Sequence, residues 1–157
     1  MYKGMYMGCL ILKNKSKVIV SLIVGILLLS LSYNFYQQNK INNYKKELTQ
    51  TVRNNIQNFA GYGGNIDNET VYAEQYASII AARESYFALS DENGIPNDEW
   101  EYSLPGLFIE IKRVMLNDEE KFKEVFQSEN ASELMFKISD NFDDKDSINK
   151  VYSLLTD

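Results

Sequence analysis

Four aspartates, Asp140, Asp143, Asp144 and Asp146, fall within seven residues, a density that brings calcium to mind. An EF-hand loop needs acids at its first, third and fifth positions, glycine at its sixth and glutamate at its twelfth. Counting from Asp140 puts Phe142 at the third position, counting from Asp144 puts Ile148 at the fifth, and neither register has the glycine. The cluster therefore reads as a solvated interhelical loop containing a helix N-cap. Asp98, Glu99 and Glu101, and Asp118, Glu119 and Glu120, suit the first turns of helices, where acids complement the dipole.

The chain has no histidine and one cysteine, Cys9. That excludes an internal disulfide, zinc sites built on His and Cys, and Ser-His or Cys-His nucleophile pairs. Gly61-Tyr62-Gly63-Gly64 lacks the Gly-Lys-Ser/Thr that a phosphate-cradling loop needs, and reads as a helix end and hinge. Paired carboxylates for glycoside hydrolysis remain conceivable with 22 acids in the chain. The expectation is nevertheless a non-enzyme, with no catalytic residue, no cofactor and no metal ligand assigned.

Charge is distributed unevenly. Residues 1–36 carry four lysines and no acid, whereas residues 61–157 hold 21 acids against 8 bases. Such an acidic region repels nucleic acid, which is not expected as a partner.

Between the two ends lies the run Val18–Tyr36, 19 residues without a charge. As a helix it would extend ~28 Å, close to the thickness of a bilayer's hydrocarbon core. Lys13, Lys15 and Lys17 precede it, Tyr33 and Tyr36 lie at its back edge, and Lys40, Lys45 and Lys46 follow, the arrangement of aromatic belts and flanking cations at membrane interfaces. We expect a basic tail at 1–17 on the cytoplasmic side, a signal-anchor helix at 18–36, a juxtamembrane stalk helix at 37–60, and an acidic extracytoplasmic domain at 61–157. The alternative is a secreted protein cleaved near Ser32, since the basic start and apolar run also fit a signal peptide.

In the stalk, Ile41, Tyr44, Leu48, Val52, Ile56 and Phe59 recur every three or four residues and form one helical stripe. A second helix is expected after an N-cap at Asp67-Asn68, with its face at Tyr72, Tyr76, Ile79, Ile80, Arg83 and Phe87. A short helix over 98–103 should follow. Others are expected with Pro105 at the first helical position, then over 119–127, from about Ser132 to Asn141, and from Asp144 to Leu155. No segment alternates like a strand, so the fold class is all-α, with about six helices in the domain.

Trp100 and Tyr102 stand in an aromatic knot between helices and are the candidate partner-binding residues. The richness in Asn, Lys and Ile suggests a bacterial source. The functional expectation is a membrane-anchored protein-interaction or regulatory module whose partners are the bilayer and a membrane-associated protein. A secreted helical binding protein is the alternative, and an anchored cell-wall hydrolase a third reading.

Overall fold

The computed structural model describes residues 3–63, 67–90, 102–127 and 129–157, with side chains described from Lys17 onward except at Ser90 and Glu129. The described chain is all helical and contains no strand. Its elements are α1 (Lys3–Gly61), α2 (Glu69–Ser90), α3 (Leu104–Asn117), α4 (Glu119–Gln127), α5 (Glu129–Asp140) and α6 (Lys145–Thr156). Two compact units divide between Tyr44 and Lys45.

The first unit is the early part of α1, 59 residues long in all, whose Val18–Tyr36 stretch is helical throughout. The division cuts the stripe read from the sequence. Ile41 and Tyr44 are exposed, whereas Val52, Ile56 and Phe59 are fully buried in the second unit. Spacing defines which residues share a face; it does not define how far along the helix a neighbour covers that face.

In the second unit Phe59 sits edge-on to Phe126 at 4.9 Å and against Phe122 at 6.0 Å, and Tyr72 meets Phe122 edge-on at 5.5 Å. This aromatic group joins α1, α2 and α4. A second group, Tyr86 with Phe108 at 6.2 Å and Phe142 at 6.0 Å, joins α2, α3 and the chain after α5. Each such pair adds ~0.5–1.5 kcal/mol beyond its buried area.

Caps fix most helix boundaries. The Asn68 side chain accepts from the amides of Thr70 and Val71, as its position in the sequence implies. The Asp118 carboxylate accepts from Lys121 N at the start of α4. The short helix expected over 98–103 does not reach its end: residues 98–101 lie outside the described chain, and Ser103 is the extended N-cap of α3, accepting from Gly106 N at 3.2 Å. Leu104 is consequently the first residue of α3 and Pro105 the second, where a missing N–H is still tolerated. α5 starts three residues before the expected Ser132, because Ala131 is fully buried and its turn packs into the core.

On α2 the buried line is Gln75, Ile79 and Ala82, with Tyr72, Tyr76 and Ile80 half-buried beside it. The centre of the face is thus rotated from the expected one toward a small residue and a glutamine. Gln75 is tolerated there because its amide nitrogen donates to Phe59 O at 3.1 Å, satisfying a carbonyl in the last turn of α1. The Tyr72 hydroxyl does the same for α3, donating to Met115 O at 2.6 Å. A polar pair on α1 addresses α5: Arg53 Nε donates to Ser139 O and Gln57 Nε2 to Ser139 Oγ, at 3.1 and 3.2 Å.

Gly63 closes the turn after α1 by direct approach to the α4–α5 junction. A Cβ there would lie 2.3 Å from Ser132 Oγ and 2.9 Å from the Phe126 carbonyl oxygen. The hydroxyl can rotate away; the backbone carbonyl cannot. Gly61, at the end of α1, would place a Cβ in open space. Gly63→Ala should therefore lower stability by ~1–3 kcal/mol. Gly61→Ala should be neutral or stabilise by up to ~1 kcal/mol, as an alanine in a helix does. Urea denaturation followed by circular dichroism measures both, and equal effects would contradict this packing.

Candidate functional site

Two places collect the residues singled out in the sequence. The first is the uncharged part of α1. Every large apolar side chain from Val18 to Tyr36 is 48–73% exposed. A continuous apolar surface on one long helix is compatible with a single membrane span. Two of its polar side chains bond within the helix: Ser32 Oγ donates to Leu28 O at 2.9 Å, and the Tyr33 hydroxyl accepts from Gln37 Nε2. Lys17 is exposed at the leading edge, and Tyr33, Tyr36, Lys40, Lys45 and Lys46 are exposed at the trailing edge. Lys40 Nζ lies 5.8 Å from the centre of the Tyr44 ring, within cation–π range. Lys13 and Lys15 fall within the backbone of α1, but their side chains lie outside the described residues.

The second place is Tyr102. Its partner in the sequence reading, Trp100, lies outside the described residues. Tyr102 is 53% exposed, and its ring meets that of Tyr152 on α6 at 5.0 Å. Its backbone has φ 64°, the left-handed region that an aromatic residue rarely occupies. Holding a non-glycine residue there costs about 1–2 kcal/mol, so the surrounding structure must compensate. The ring contact with Tyr152 is one compensation, and it leaves much of a rigid aromatic side chain facing solvent.

Beside Tyr152 lies an element that sequence reading missed. Glu110 is buried on α3, and Arg113, one turn on, forks both of its carboxylate oxygens. That hydrogen bonding, with the charge of Glu110, raises Arg113 above its ordinary value. The spacing Glu110-x-x-Arg113 was visible in the sequence as a helical pair, but nothing there marked the glutamate as buried. Arg83, expected on the apolar face of α2, is held from two sides. Its guanidinium pairs with Glu84 at 3.0 Å and lies 5.0 Å over the Phe87 ring, while its Nε is buried without a partner.

The aspartate cluster resolves into capping. Asp144 Oδ1 accepts from Ser147 N at 3.2 Å, and Oδ2 accepts from Ser147 Oγ at 2.7 Å. These bonds, led by the Ser147 hydroxyl, hold the Asp144 carboxyl below its usual range. Among the described residues no group of three or more potential ligands is placed to hold a metal ion.

No protein-family model, curated protein or solved structure matches the chain. What the geometry defines, among the described residues, is an all-α chain of six helices with one long apolar helix at its N-terminus.

Two predictions follow from these sites. Tyr102→Gly and Tyr102→Ala both remove the ring, but only glycine relieves the backbone. Strain relief of about 1.5 kcal/mol less glycine's entropic disadvantage of about 0.7 kcal/mol should leave the glycine variant about 0.8 kcal/mol more stable. Equal denaturation midpoints would contradict the left-handed conformation. For Asp144, a depressed folded pKa means its stabilisation is present above the unfolded value near 3.8 and is lost as pH falls through the folded value. Asp144→Ala should cost ~1 kcal/mol at neutral pH and converge with the parent in acid. Asp144→Asn should keep the cap, without that pH dependence.

Proposed function

We propose that the chain is a single-pass membrane protein whose helical domain acts as an interaction or regulatory module at the outer face of a bacterial membrane. The observation that carries this reading is the exposure of every large apolar side chain over Val18–Tyr36, on a helix of spanning length. Burying that surface in lipid removes it from water without any protein neighbour. The flanking charges favour an N-terminus on the cytoplasmic side, since Lys17 and its neighbours crowd that edge and the N-terminal tail carries no acid.

On this reading the domain acts by contact. Anchoring confines it to two dimensions and raises its effective concentration for a partner in the same membrane. Tyr102 and Tyr152 supply an aromatic surface of the kind that dominates interface energetics.

Full-length protein is expected in the membrane fraction after alkaline carbonate extraction. Introducing Leu27→Arg together with Leu28→Arg near the middle of the run opposes insertion by ~5 kcal/mol or more and should shift the chain out of that fraction. Cys9 should react with an impermeant thiol reagent only after the cells are permeabilised. Extraction of the parent by carbonate would overturn the anchoring, and labelling of intact cells would reverse the orientation.

A further inference from the structure

Helices α4, α5 and α6 enclose an open groove of about 780 Å³, within the range of ligand-binding clefts. Three lysines line it, one from each helix: Lys121, Lys137 and Lys150. Residues 61–157 contain 21 acids and 8 bases, and four of those cations, Arg83, Arg113, Lys123 and Lys137, are held in ion pairs. Lys123 pairs with Asp67 and Glu119, and Lys137 pairs with Glu133 at 2.8 Å. Lys121 and Lys150 are in no ion pair among the described residues, although acids surround them in the sequence. Three lysines against Glu133 and Asp157 leave the lining mildly cationic within an acidic domain. Between them the lining carries Leu134, half-buried, and Leu154, 38% exposed.

We propose that this groove docks an acidic peptide segment that carries large apolar side chains between its carboxylates. The lysines supply point charges that accept carboxylates without demanding a forked geometry, and the leucines supply the apolar contact. Glu133 and Asp157 lie on the same lining and keep the groove only mildly cationic. That disfavours a polyanion and suits anionic groups spaced by apolar ones. This assignment rests on reading the domain as an interaction module, but it does not require membrane insertion.

The test is fluorescence anisotropy of a labelled Glu-Leu-Glu-Glu-Leu-Glu peptide with full-length protein in uncharged detergent, at low salt. Saturable binding is expected. Lys121→Gln with Lys150→Gln should weaken it about tenfold, as the loss of two partly screened charge pairs implies. Leu154→Ala should weaken it several-fold and provides a second, independent variant. Lys112→Gln, on α3 and outside the groove, should leave it unchanged; circular dichroism checks that each variant is folded. No saturation, unchanged affinity in both groove variants, or equal affinity for a peptide with glycines in place of leucines would overturn the proposal. So would equal competition by inorganic phosphate or by phosphatidylglycerol vesicles, which would reassign the groove to simple anions or to lipid. A failed titration leaves the carbonate result standing, and a failed extraction leaves the titration standing.

Discussion

Phe59 is the residue on which the second unit depends. Its ring is fully buried between Phe122 and Phe126, and its carbonyl, in the last turn of α1, receives the amide of Gln75. A helix that ends inside a core brings unsatisfied carbonyls with it, and each one buried without a partner would cost several kcal/mol. The apolar gain at Phe59 is therefore available only if the polar end of the same turn is satisfied. Gln75 supplies that bond from α2, and Gly63, by having no side chain, lets the chain turn against the α4–α5 junction.

α2 repeats the device. Tyr72 and Gln75, three residues apart and so neighbours on the helix surface, each donate to a carbonyl near the end of another helix. Burial beside α3, with the charge of Glu119, raises the Tyr72 phenol above its ordinary range, so it remains a donor through neutral and mildly alkaline conditions. Gln75 is satisfied on one side only, since its Oε1 is buried with no partner. A polar group in such a place contributes less to stability than to the choice of one packing among several, because any other register would leave two groups unpaired in place of one.

Much of this was legible in the sequence, and the boundary of legibility is physical. The start of α2 at Asn68, the span and core of α4, and the buried Ile148, Val151 and Leu155 of α6 follow from capping residues and helical spacing, both local properties. What was not legible depends on neighbours distant in the chain. Nothing local says that Ile41 and Tyr44 are uncovered while Val52 is buried, that Gln75 belongs to the core, or that Glu110 is buried with Arg113. Tyr102 could be picked out as an aromatic between helices, but its left-handed backbone could not, because the favoured residues for that conformation are glycine and asparagine. The groove was invisible for the same reason: Lys121, Lys137 and Lys150 stand on three helices and meet only in the folded chain.

The arrangement of the acids bears on whether the domain works by contact or by turnover. Carboxylate chemistry of the glycosidase type asks for one buried acid kept protonated, with an oxygen aimed into a cleft beside a second carboxylate. Glu110 is the buried acid among the described residues, and both of its oxygens are engaged by the guanidinium of Arg113 on its own helix. Asp144 and Asp118 are taken by caps, and Glu133 and Glu119 by lysines. The ionisable side chains lining the groove of α4, α5 and α6 are Lys121, Lys137, Lys150, Glu133 and Asp157, of which Lys137 and Glu133 pair with each other.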